Sequence, residues 1–183
     1  MRILLGFMFV MTSIDLFPDL AVLAGPDGIF HESSARRGIR LARWTYFDHI
    51  DSMTGVYVVH GIALVANVLF MLGYKSRTMG LISVLAHTAI YQRNSWFMNG
   101  GDRLVREFGF YICLVPCGAS LSIDAWLKNR KQLRQGLKPV LNPLIPIFGL
   151  RVIQLQIAFV YLISGIDKAA SGSWQRGSAL YYS

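Results

Sequence analysis

The sequence predicts an all-α fold, a polytopic transmembrane helical bundle of about five spans that occupies residues 1–183 as one domain. Three observations carry this prediction. Hydrophobic residues make up 54% of the 183 and charged residues 15%, against about 25% charged in a soluble domain, and mean hydropathy is +0.43. Aromatic residues reach 13%, as belts at membrane interfaces require. The 18 Lys and Arg against 10 Asp and Glu, a net +8, sit between apolar runs, where basic residues set membrane orientation. This composition excludes a disordered chain, a coiled coil and most soluble enzymes. The same charge in a soluble protein would point to nucleic acid; placed between spans, it points to membrane lipid as the partner and to no nucleic acid.

The segments follow in order. Ile3–Leu23 is read as an uncleaved first helix, although Asp15 and Asp19 interrupt it and Ala21–Gly25 imitates a cleavage site. Thr54–Gly73 is uncharged throughout and ends in the turn Gly-Tyr-Lys-Ser-Arg at 73–77. Thr78–Gln92 is shorter and reaches spanning length by continuing through Arg93 at the interface. Phe108–Ile123 is expected to form a further span kinked at Pro116. Pro139–Ile166 holds one charge, Arg151, and its three prolines place the helix start near Pro146. Cys113 and Cys117, four apart in an apolar run, read as inert thiols.

Counting crossings puts the N-terminus, the 74–77 turn and the 124–139 loop on one side. The loops at 26–53 and 93–107 and the tail after Ile166 fall on the other. The short connections of the first side are dense in Lys and Arg, which makes that side cytoplasmic. The basic run Lys128–Lys138 is expected to contact anionic lipid head groups.

Polar residues at membrane depth are costly and face a bundle interior or cavity. His60 and Asn67 share a helix face with Tyr57 and Leu64 and are read as partners in hydrogen bonds between helices. Gly80, Ser83, His87, Tyr91 and Asn94 form a second stripe, in which His87 and Asn94 are candidate binding residues. Arg151, Gln154, Ala158, Tyr161, Gly165 and Lys168 form a third. Lys168 has two readings: an anchor that snorkels and pairs with Asp167, or a lysine desolvated by an apolar pocket, whose neutral amine is a base. In the loop after Arg93, the turn Asn99-Gly100-Gly101-Asp102 places Asp102 at a helix N-cap. The crossing order puts that loop on the side of Asp167 and Lys168, which makes Asp102 a candidate binding residue.

Several of these residues carry a resemblance. Arg151–Lys168, with its Tyr161-x-x-x-Gly165-x-x-Lys168 core, followed by Trp174-Gln-Arg-Gly177, resembles the hallmark segment of the HTTM family. This membrane family includes the vitamin K-dependent gamma-glutamyl carboxylase. The Gly-Tyr-x-x-Arg turn at 73–77, Arg93-Asn94, Gly101-Asp102 and the opening Arg2-Ile-Leu-Leu-Gly6 also look like it. The resemblance implies that Lys168 is the catalytic base and that Asn94, Asp102, Tyr161, Gly165, Trp174 and His87 surround a binding site. It implies a reduced quinone, like vitamin K hydroquinone, as cofactor, and a secreted peptide as substrate whose glutamate is carboxylated with CO2. It also implies a multi-pass protein of the bacterial plasma membrane and further spans after Ser183. The chain differs from the carboxylase in having Ser95, rather than histidine, after Asn94. A second role found among such proteins is non-enzymatic: help in the maturation or export of a secreted peptide.

Overall fold

The computed structural model describes residues 1–26, 28, 45–93, 100–138 and 146–179, and among these every regular element is helical. They are α1 (Arg2–Asp15), α2 (Leu20–Ala24), a 3₁₀ turn at Tyr46–His49, α3 (Met53–Leu72), α4 (Ser76–Arg93), α5 (Gly100–Cys113), α6 (Ile123–Arg134), α7 (Phe148–Ala170) and α8 (Gly172–Gln175). The chain forms two compact units, Met1–Ile145 and Pro146–Ser183.

α3 is the central element of the first unit and matches its predicted bounds closely. The Ser52 hydroxyl accepts the Gly55 N–H at 3.1 Å to cap its start. Gly73, at φ +79°, ends it in the left-handed conformation that favours glycine. α1 lies along α3 so closely that a Cβ on Gly6 would come within 2.7 Å of the Met71 backbone. The continuous helix expected over Ile3–Leu23 is not formed. α1 stops at Asp15 and α2 restarts at Leu20, because Pro18 supplies no N–H and disfavours helical geometry in the residue before it. At the break the Phe17 N–H turns to the Ile14 carbonyl at 3.1 Å. The Ser13 carbonyl is taken instead by His60 Nε2 of α3, which donates to it at 2.8 Å. One helical face further along, Asn67 Nδ2 donates to Ser13 Oγ at 2.8 Å and to the Phe9 carbonyl at 3.3 Å. His60 and Asn67 thus join helices, as their spacing predicts.

The span expected over Phe108–Ile123 is likewise corrected. α5 begins at Gly100 and ends at Cys113, before Pro116 rather than kinked by it, and turns occupy 114–122. Proline restricts the residue ahead of it and cannot donate, so the helix closes early. The segment still runs the length of α4. Asp102 meets Tyr91, Cys113 packs where a Gly80 Cβ would point, and Gly118 lies against Ser76.

Polar locks close both ends of this unit. At one end Arg2 is buried and donates through Nη1 to the Cys117 carbonyl at 3.0 Å and through Nη2 to the Leu121 carbonyl. Asp124 accepts the Lys75 and Ser76 N–H groups at 2.8 Å each and the Ser76 hydroxyl at 2.7 Å. The N-terminus, the 73–76 turn and the start of α6 therefore meet. At the other end Arg93 pairs with Asp48 at 2.7 Å and donates to the Gly25 carbonyl at 3.0 Å.

The interior mixes apolar side chains, among them Phe9, Val56 and Phe70, with polar ones. Ser13, His60, Asn67, Ser83 and His87 are buried, while Ile3, Leu4, Phe7, Val58, Ile62, Val65 and Leu85 are exposed. α3 and α7 are long and apolar enough to cross a membrane, with mean hydropathies of 2.0 and 1.6. In the second unit α7 starts two residues after Pro146, near its expected position. A turn at Ser171 leads into α8, tied back by Gln175 Nε2 donating to the Ala169 carbonyl at 2.7 Å.

Asp124 gives this architecture a pH signature. Burial raises its pKa, but the Ser76 and Lys75 hydrogen bonds and the Arg2 charge outweigh burial and hold it below the usual carboxylate value. The folded value lies below the unfolded one, so the stabilisation is fully present above about pH 4 and is lost as pH falls through the folded value. At neutral pH Asp124→Asn is expected to cost about 1–2 kcal/mol. Thermal unfolding in detergent should show that gap narrowing as pH falls below about 4; a gap independent of pH contradicts the assignment.

Candidate functional site

Two polar recesses carry the candidate residues, one in each unit. In the first unit α1, α4 and α5 enclose a cavity of about 260 Å³ whose walls include Phe9, Thr12, His87, Tyr91, Asp102 and Arg106. His87 and Tyr91 are one turn apart on α4 and so present side chains to the same wall. His87 Nδ1 donates to the Ser83 carbonyl at 2.9 Å, which fixes the ring on its own helix. Its imidazole lies 4.5 Å from the Phe9 ring, centroid to centroid. Nε2 approaches the Phe9 carbonyl outside hydrogen-bonding geometry. The Tyr91 hydroxyl donates to the Asp102 carboxylate across the α4–α5 interface, with the Arg106 charge nearby.

Asp102 is therefore not the expected N-cap. The helix starts at Gly100, so Asp102 falls within the first turn, where an acid faces the positive end of the helix dipole, and it binds Tyr91 on the neighbouring helix. Asn94 lies outside the described residues.

In the second unit a recess of about 420 Å³ is walled by Val160, Ile163, Ser164, Asp167, Lys168, Ser171 and Trp174. The turn at Ser171 folds Trp174 back, and Lys168 Nζ lies 4.7 Å from the centre of its ring. Over an aromatic face a cationic amine is attracted by the ring quadrupole. Among the described residues no ion pair joins Lys168 to Asp167, so the expected alternative of simple pairing is not what holds the amine. Tyr161 is 76% exposed, and space around Gly165 is open; both share a face with Lys168 without lining the recess. His87 and Asp102 thus belong to the first recess, and Lys168 and Trp174 to the second.

Phe9, Thr12 and Arg106 were not legible as wall residues. Phe9 and Thr12 sit in an apolar helix with no polar periodicity, and only Arg106, four residues after Asp102, carried a usable spacing signal.

Helices throughout the described residues, exposed aliphatic side chains on α1 and α3 and two helices of spanning character are features of a membrane protein. The sequence profile of the HTTM domain matches residues 27–183. The chain belongs to the HTTM family, which includes the gamma-glutamyl carboxylase. A search of the curated proteins returned no match, and neither did a search of the solved structures.

The Tyr91–Asp102 contact makes the first cavity testable. Asp102→Ala removes the acceptor of a buried hydroxyl and is expected to cost about 1–3 kcal/mol. Thr12→Ala on the same cavity is expected to stay within about 0.5 kcal/mol. Chemical denaturation of the two variants in detergent measures both, and equal effects would contradict the contact.

Proposed function

We propose that the protein crosses the membrane five times and is a carboxylase-like enzyme, with Lys168 as the base that acts on a reduced quinone and a secreted peptide as the carboxylated substrate. The five crossings are α1–α2, α3, α4, the 100–122 segment and α7, with Lys168 and Asp102 towards the extracytoplasmic side. Support for the crossings comes from the first unit, where the broken α1–α2 and the 100–122 segment each run the length of a neighbouring helix. Support for the side comes from the basic density around Arg2, Lys75, Arg77 and 128–138.

One observation carries the catalytic reading: Lys168 and Trp174, which flank the gap within the family's most specific pattern, are in contact. The recess residues fit a quinol. Val160, Ile163 and the Trp174 ring offer apolar surface for a flat ring, and the Lys168 amine lies at its edge as proton acceptor. When bound, the reduced quinone would be oxidised by dioxygen, and its oxygenated form would supply a base strong enough for a glutamate gamma proton. Lys168 would take the hydroxyl proton at Nζ, and the Trp174 ring beside it would hold the ammonium that results.

The test is quinol-dependent incorporation of labelled CO2 into a glutamate-containing peptide by membranes carrying the protein. Arginine keeps the charge and stem but stays protonated at every working pH. Lys168→Arg is therefore expected to remain folded and to lose incorporation by about 100-fold or more. An active Lys168→Arg variant overturns the role of Lys168, and a wild-type protein without incorporation overturns the carboxylase reading.

A further inference from the structure

α6 is turned the wrong way for a helix that packs on a protein core. Ala125, Asn129 and Gln132, spaced by four and three, form its half-buried inner side. Its large apolar residues point away from the body of the unit: Trp126 is 57% exposed, Leu133 is 60% exposed and Leu127 is exposed as well. An amphipathic helix of a soluble domain shows the reverse arrangement, apolar stripe inward and polar face outward. Lys128, Arg130, Lys131 and Arg134 are all exposed on the same helix, and the Arg130 guanidinium lies 5.1 Å from the centre of the Trp126 ring.

The charge is not neutralised locally. Asp124 is the sole acid between Leu121 and Lys138, and its carboxylate is already engaged by Ser76 and Lys75. That engagement also fixes where the helix starts, at the end of the bundle where Arg2 and the 73–76 turn gather. At the far end Gly136, at φ +73°, stops the helix, and the Leu137 N–H returns to the Gln132 carbonyl at 2.9 Å. α6 is therefore a short, closed helix, pinned at one end, with tryptophan and leucine outward and a one-signed charge around them.

We infer that α6 lies in the membrane plane as an anchor selective for anionic lipid head groups, an inference that rests on the reading of the chain as membrane-spanning. Trp126, Leu127 and Leu133 enter the boundary between head groups and acyl chains. Arg130 and Arg134, which lie between them on the outer face, extend their heads to phosphate, and Lys128 and Lys131 flank them. The occupant is lipid because large apolar side chains alternate with cations on one outward face. A nucleic-acid surface needs the cations without the aliphatic stripe.

Reconstitution of the full chain in vesicles with lipids brominated near the head group tests this, since bromine quenches a nearby indole. The Trp126 signal is the difference between the protein and Trp126→Phe. It should be quenched at least about threefold more in vesicles with about one third phosphatidylglycerol than in phosphatidylcholine alone. Replacement of Lys128, Arg130, Lys131 and Arg134 by Gln should remove the difference between the two lipids while leaving the thermal unfolding of the protein unchanged. Equal quenching in both lipids overturns the anionic selectivity. A Trp126 signal that neither lipid quenches overturns the anchor, as does binding of single-stranded RNA that depends on the same four residues with no quenching. Resistance to carbonate extraction reports the crossing helices separately, so a failure of the spanning reading is distinguishable from a failure of α6.

Discussion

An amide or carbonyl without a partner is costly in apolar surroundings, and the junction between α1 and α3 is built around that cost. Pro18 ends α1 and leaves the Ser13 carbonyl without its usual helical donor. His60 supplies that donor, and Asn67 takes the Ser13 hydroxyl and the Phe9 carbonyl. These bonds set the register of α1 on α3, so that Gly6 falls opposite Met71, where no Cβ fits. They also place the Phe9 ring against His87, so the wall of the first recess depends on two side chains that never reach it.

The same constraint explains the ends of the first unit. Arg2 satisfies carbonyls in the turns after α5, and Asp124 satisfies the N–H groups that open α4. Each lock joins residues more than forty positions apart, so the ends tie together helices distant in sequence. With Arg2, His60 and Asn67 each bonded inside through at least one atom, the outer surface of α1 and α3 is free to be aliphatic, which suits lipid and not water.

Much of this was legible in the sequence because hydropathy and helical spacing are local. The limits of α3 follow from an uncharged run closed by a glycine turn, the start of α7 from Pro146, and the joining role of His60 and Asn67 from helical spacing. What escaped depended on hydrogen bonds, not on hydropathy. The run Phe108–Ile123 is apolar enough for a span, yet Pro116 withholds an N–H and the helix closes at Cys113. Gly100 and Gly101 were read as a turn, yet they begin α5 and move Asp102 from cap to partner of Tyr91. Ser13, in a stretch read only as a first helix interrupted by Asp15 and Asp19, gave no sign that it would accept from Asn67. Lys168 and Trp174 meet only because the chain turns at Ser171, which no helical period foretells.

The most direct measurement is a double-mutant cycle on the α1–α3 junction, with Ser13→Ala, Asn67→Ala and the double variant unfolded in the same detergent. If the Asn67–Ser13 bond sets the register of these helices, the two residues should couple by about 0.5–1.5 kcal/mol, the range for hydrogen bonds between membrane helices. Additive effects, with coupling indistinguishable from zero, would contradict the account.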